Sequence, residues 1–465
     1  MFNAEEPFWG KTLRIIRDIW PLGESDQLSG RVRADLPDDD VRLIKKAINA
    51  CLEGRGGEVS ARTRAAELGH VYSGLNSEGC RRFLELLAYD YDVDNVAIER
   101  TLEARSEITN PQELQQSNQR LREMLESPRT KLLRQFTELN EGVKFLVDLR
   151  ADLLPHSRKN PQLKALDSDL HSLLASWFDI GFLDLQRITW ETPAVILEKL
   201  IKYESVHEIS SWDDMKNRLR PDRRCYAFFH PGMPQEPLIF VEVALVAGIA
   251  GNVQELLDVN APEGEPEKID TAIFYSISNC QKGLAGVSFG NFLIKRVVAD
   301  LAGKFQNLKN YSTLSPIPGF MGWLKNNAVT VKLSGKEGEL LQSIASADNP
   351  IVTLLSMFES AEVEKKSSNS EVFKNMLLKL CAKYLVEVKR GEQAFDRVAH
   401  FHLSNGARIE RINWKANSSD SGVEQSAGLM VNYLYDLSQI ERNHELYKGA
   451  GEVSISSRVS RLLKM

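Results

Sequence analysis

The chain has no run of about 18 consecutive apolar residues, the length a membrane-crossing helix needs, so no membrane partner is expected. Its start, MFNAEEPFWGKTLRIIRDIW, lacks the basic-then-apolar layout of an export signal and does not look transit-like. Its end, SRVSRLLKM, is not a peroxisomal Ser-Lys-Leu address. Cysteine is scarce: Cys51, Cys80, Cys225, Cys280 and Cys381 are odd in number, scattered, and form no Cys-x-x-Cys pair. That excludes a disulfide scaffold and a cysteine-type zinc site, and it suits a reducing compartment. Glycine (29) and proline (17) are too few among 465 residues for a collagenous or low-complexity chain. Positive charge is in short supply as well. With 58 Lys and Arg against 64 Asp and Glu, a net charge of −6 argues against nucleic acid as a partner. The expectation is a cytoplasmic globular protein of two or three domains, with ample chain for a core.

Local patterns divide the chain. Asp38–Asp40 precede Val41, Leu43, Ile44, Ala47, Ile48 and Leu52, an apolar stripe at helical spacing that stops at Gly54. Asn110-Pro111 supplies a cap and a first-turn proline to another helix. Residues 130–154, those from Pro161, and those from Thr192-Pro193 to about Tyr203 continue the helical spacing, and almost no alternating pattern occurs before residue 220. After Arg223 the character changes. CYAFFH (225–230), PLIFVEVALV (237–246) and TAIFYSIS (271–278) are short aromatic and β-branched runs separated by turn-rich segments. Helical spacing resumes after Gly290 and again over residues 371–389, with further strands expected at 329–333 and 400–414. SSNS (367–370) and SSDSG (418–422) read as polar loops. There is no internal repeat.

Four segments can carry chemistry. Gly283, Gly286 and Gly290 crowd a turn between a β run and a helix start, where backbone N–H groups and the helix dipole favour a phosphate. The spacing is not that of a Walker loop, and simple turn chemistry is the plainer account. Ser315 precedes Pro-Ile-Pro-Gly, an extended rigid segment that can aim a hydroxyl; a capped turn before a short helix explains the same residues. His400 and His402 alternate along an expected strand and so share a face. No third ligand of metal-like spacing stands near them, so no metal is expected, while a histidine can give or take a proton near neutral pH. Tyr433 and Tyr435 share a face of GLMVNYLYDL if that segment is a strand.

FYSIS with GLAGVSFGNFLIKRVV, then STLSPIPGF, HFHLSNGA with RINW, and GLMVNYLY together resemble the malonyl-CoA decarboxylase family. GVKFLVDLRADLL, ITWETPAVILEKL and WDDMKNRLRPDRRCYAFF are similar to that family too, so the resemblance spans about residues 130–435. It implies an α+β protein: an all-α helical N-terminal domain, placed at 1–189, and a GNAT-like mixed α/β catalytic domain at 190–465. It also implies association into a homo-oligomer, a dimer or tetramer. By resemblance the coenzyme A pyrophosphate sits on Ala285, Gly286, Val287, Ser288, Phe289, Gly290 and Asn291. Two of these depart from the general GNAT pattern, which prefers glycine at Ser288 and a basic or amide side chain at Ala285. The family's catalytic serine and histidine fall on Ser315 and His402, with Ser276 and Tyr435 at further polar positions; Tyr433 keeps a packing role.

The expected reaction converts malonyl-CoA to acetyl-CoA and carbon dioxide. The thioester carbonyl itself accepts the electron pair from the breaking C–C bond, so no cofactor is expected. The enzyme must orient the substrate, stabilise the enolate oxygen and protonate C2. A GNAT-type acyl-CoA-dependent acyltransferase is the alternative, and it usually wants a carboxylate base beside the acyl group. A helical scaffold carrying a dead catalytic fold is a third.

Overall fold

The structure, a computed structural model, describes residues 28–54, 57–137, 139, 141–287, 290–327 and 367–464. The chain forms two compact units. One holds the residues up to Asp184 together with 229–236 and 281–289; the other holds Leu185–Phe228, Pro237–Cys280 and Gly290 onward.

The first unit is helical: α1 (Asp38–Leu52), α2 (Gly57–Ser73), α3 (Ser77–Asp90), α4 (Asn95–Ser106), α5 (Pro111–Met124), α6 (Pro128–Thr137), α7 (Gly142–Ser157) and α8 (Pro161–Trp177). Asn76, Asp94, Asn110 and Asn160 each accept backbone N–H groups at a helix start, satisfying donors that the helix itself cannot. The stripe Ile44, Ala47, Ile48 and Cys51 of α1 is buried, as its spacing predicts. Residues 130–154 do not run as one helix. The chain breaks at Glu141, which adopts φ 55°, and at Gly142, where a Cβ would lie 1.6 Å from the Phe136 carbonyl. That close approach lets α7 fold back so that Phe145 packs edge-on to Tyr72, with centroids 5.6 Å apart, and beside Phe136 at 4.8 Å.

The rest is mixed. In chain order it contains β1 (Asp184–Ile188), α9 (Ala194–Tyr203), α10 (Trp212–Arg218), β2 (Arg223–Phe229), β3 (Ile239–Val246), α11 (Val253–Leu257) and β4 (Thr271–Asn279). Then come α12 (Gly290–Lys304), β5 (Asn310–Thr313), α13 (Phe320–Asn326), α14 (Ser367–Val386), β6 (Lys389–Arg390), β7 (Gln393–Ala394) and α15 (Arg397–Ser404). The chain continues through β8 (Arg408–Asn413), α16 (Asp420–Ser426), β9 (Met430–Leu434), α17 (Ile440–Ala450) and α18 (Ser457–Lys464). Seven strands form one sheet in the order β1-β2-β3-β4-β5-β9-β8, and the aromatic and β-branched runs after Arg223 are its centre. β4 and β5 pair parallel, as strands joined through a helix can, whereas β2–β3, β3–β4, β5–β9 and β8–β9 are antiparallel. The fold class is therefore as expected, helical first and mixed α/β after.

Three local expectations change. SSNS opens α14, and Ser419 caps α16 by accepting the Gly422 N–H, so both polar segments begin helices. Residues 400–404 are helical, and the strand begins only at Arg408. The strand expected at 329–333 lies outside the described residues.

Candidate active site

β5 ends at Thr313, and two residues later Ser315 exchanges both backbone hydrogen bonds with Val431 of β9, at 2.8 and 3.0 Å. Pro316 follows directly, and Pro318 sits in the turn that leads into α13, where the Phe320 N–H donates to the Ile317 carbonyl at 3.3 Å, so the main chain after Ser315 is restrained as well. α15 brings in the histidine. Asp396 caps this helix through the N–H groups of Val398 and Ala399 (2.9 Å each), and its other carboxylate oxygen accepts the Tyr384 hydroxyl at 3.1 Å. The helix ends on Asn405-Gly406, where glycine takes φ 81° and a Cβ would lie 2.2 Å from the Ile440 carbonyl.

On a helix, residues two apart point to nearly opposite sides, so the shared face expected for the two histidines is wrong. His400 Nδ1 lies 2.9 Å from the Tyr447 hydroxyl. His402 turns the other way, with Nε2 3.0 Å from Ser315 Oγ and Nδ1 2.8 Å from Tyr435 Oη. Ser315 Oγ in turn donates to Thr313 Oγ1 at 2.8 Å. The Tyr433 ring stacks on the imidazole, centroids 4.5 Å apart and planes at 25°. Thr313, Ser315, His402 and Tyr435 thus form one buried hydrogen-bonded run, with His402 only 2% exposed. Burial pushes the His402 imidazole down to about 3, because an imidazolium there would lose its hydration, so the ring is neutral at physiological pH. Burial likewise drives the Tyr435 phenol well above its ordinary value.

Ser315 and His402 line a cavity of about 610 Å³, together with Val206, Ile239, Phe274, Ile277 and Phe401 among its apolar walls. No aspartate or glutamate is among its described lining residues. Ser276 does not line it. Its hydroxyl donates to both Glu204 oxygens, at 2.7 and 2.8 Å, and Glu204 also accepts the N–H groups of Val206 and His207. Ser276 therefore anchors the loop that forms one cavity wall. In the glycine-rich segment, Ala285, Gly286 and Val287 form the turn, with Gly286 at φ 84°. Gly290 and Asn291 begin α12, and Ser288 and Phe289 lie outside the described residues.

The sequence profile of the malonyl-CoA decarboxylase C-terminal domain matches residues 181–465, and that of the N-terminal domain matches residues 91–178. The chain belongs to the malonyl-CoA decarboxylase family. It is accordingly an enzyme, a carboxy-lyase. It is 38% identical over 424 residues to the mitochondrial malonyl-CoA decarboxylase of Mus musculus, covering 87% of this chain and 86% of that protein. The mitochondrial malonyl-CoA decarboxylase of Anser anser anser is 37% identical over 418 residues, 86% of this chain and 83% of that protein. Crystal structures of malonyl-CoA decarboxylases from Agrobacterium vitis and Rhodopseudomonas palustris superpose with TM-scores of 0.81 and 0.80. They are 38% and 37% identical, cover 90% and 91% of this chain, and are themselves 99% covered.

In this family member the residues that sequence patterns single out and those around them divide clearly. Ser315, His402 and Tyr435 meet; Ser276 faces Glu204 instead. Thr313, Glu204 and Asp396 escape a reading by motif. Asp396 alone left a signal: followed eight residues later by Ser404-Asn405-Gly406, it has the start and stop chemistry of a two-turn helix.

Proposed function

We propose that this carboxy-lyase converts malonyl-CoA to acetyl-CoA and carbon dioxide, with Ser315 and His402 at the reacting end of the substrate. One observation supports it above the others: the Thr313–Ser315–His402–Tyr435 run opens on a cavity whose described lining contains no carboxylate. An anionic malonyl group is not repelled there, and a general base of the acyltransferase kind has no candidate among those residues. Ser315 hydrogen-bonds the malonyl carboxylate or the developing enolate oxygen. His402 is neutral in the free protein and gains a proton as the substrate carboxylate arrives, because a nearby negative charge favours imidazolium. When the C–C bond breaks, carbon dioxide departs and its bonding pair becomes the enolate. C2 then takes the Nε2 proton of His402, which solvent restores before the next turnover. No cofactor enters this sequence.

The mixed unit is read as GNAT-like, supported by the parallel β4–β5 pair linked through the glycine-rich turn and α12, with residues 285–291 taking the coenzyme A pyrophosphate. The helical unit is read as the part through which copies associate, supported by Tyr89, Val96, Leu102 and Leu125, each about half or more exposed. Incubation with malonyl-CoA and no acceptor is the decisive experiment. Carbon dioxide and acetyl-CoA should appear in equal amounts; absence of both overturns the assignment.

A further inference from the structure

The helical unit contains a buried cation that the proposed reaction does not use. Arg150 on α7 is 3% exposed. Its Nε donates to Asp167 of α8 at 2.8 Å, and its Nη1 donates to two backbone carbonyls of the glycine-rich turn, Gly283 at 2.6 Å and Ala285 at 2.9 Å. The turn is built onto α7 by shape as well. A Cβ at Gly283 would lie 1.8 Å from the Val147 carbonyl, and one at Gly286 would lie 3.6 Å from His171 Nε2.

A planar trans peptide directs its carbonyl oxygen and the following N–H to opposite sides. By holding the Ala285 carbonyl inward, Arg150 turns the Gly286 N–H away from α7. The N–H groups of Leu284, Ala285 and Val287 are meanwhile used within the turn, on the carbonyls of Gln281, Lys282 and Leu284. A backbone anion site works only while its carbonyl dipoles face away from the anion. The charge on Arg150 secures that orientation from behind.

We propose that Arg150, held by Asp167, is a positioning residue for the diphosphate of the coenzyme A thioester. This rests on the reading that residues 285–291 receive the pyrophosphate. Arg129 supplies the comparison. It is equally buried in the same unit, paired with Asp92 at 2.9 Å, with Asp169 at 2.7 Å and with the Ala88 carbonyl, and none of these partners belongs to the turn.

The test measures coenzyme A affinity by calorimetry, kcat and KM for malonyl-CoA, and melting temperature on the full chain. Arg150→Met should weaken coenzyme A and raise KM at least about tenfold, with kcat within about threefold. Asp167→Asn should shift affinity the same way by about threefold. Arg129→Met should lower the melting temperature and leave affinity within about twofold. Turnover of malonyl-pantetheine, which has no diphosphate, should be the same in Arg150→Met and wild type. A folded Arg150→Met chain that binds coenzyme A normally, or equal weakening by Arg129→Met, overturns the proposal. If Arg150→Met does not fold, wild-type affinity in Asp167→Asn overturns it. A wild-type chain that binds coenzyme A but releases no carbon dioxide removes the reaction assigned above, and the affinity series still decides Arg150. Absence of coenzyme A binding in the wild type overturns both.

Discussion

At the scale of single residues, His402 is defined by what surrounds it. Apolar burial makes the ring neutral, Tyr435 holds Nδ1, and Nε2 is left toward Ser315 and the cavity. His402→Asn keeps a polar group of similar reach but cannot deliver a proton. It should cut kcat by about 100- to 10,000-fold while coenzyme A affinity stays near wild type, as single-turnover assays and calorimetry would show. Ser315→Ala, which removes a placed donor from developing charge, should cost about 100-fold or more in kcat. In the free protein the ¹⁵N signals of the His402 ring should remain those of neutral imidazole from pH 7.5 down to 5; titration near 6.5 would contradict its burial. Ser315, His402 and Tyr435 could be singled out because each sits in a long segment resembling the family, and the structure brings their side chains together. Thr313 shares the segment of Ser315, but a threonine at a strand end has no chemistry of its own to mark it, and the contact of Ser276 with Glu204, 72 residues away, left no local signal.

At the scale of elements, the short helix α15 does most to place the site. His-x-His alternates like a strand over three residues, but the capping chemistry at both ends wins over so brief an alternation. Asp396 serves three neighbours at once: it caps α15, accepts from Tyr384 of α14 and takes a hydrogen bond from the Gly319 backbone after the Pro-Ile-Pro segment. Asp396→Ala should therefore lower both stability and kcat, with about 1 kcal/mol from the lost cap alone and more from the buried partners. Coenzyme A affinity should hardly change, because α15 does not carry the glycine-rich turn. Urea unfolding beside steady-state kinetics would check this, and a loss of affinity equal to the loss of kcat would count against it.

At the scale of the whole molecule, buried neutral histidines tie stability to pH. Burial lowers His402 to about 3; burial, aided by the Arg218 charge, lowers His207 to about 4. Unfolded, each would titrate near 6.5. The unfolded chain thus binds more protons below that value, so the stability these groups contribute is full above about pH 6.5 and is lost as pH falls toward 4 and 3. At pH 5 the loss is about 2 kcal/mol for each. Melting temperature should fall between pH 7 and 5, and the fall should be smaller in His402→Asn; an equal fall would show that His402 is not the cause.

The division into a helical part and a mixed part, the capped helices and the central strands all followed from short-range chemistry. Side-chain caps, apolar periodicity and β-branched runs act over a few residues and are present in the sequence as written. The break at Gly142 and the helical state of His402 depended on contacts across a turn or with another element. The candidate site depended on still longer ones, since Ser315 meets His402 across 87 residues and His402 meets Tyr435 across 33. The neutral imidazole and a cavity with no carboxylate among its described lining residues are properties of burial and distance, and those exist only once the chain has closed on itself.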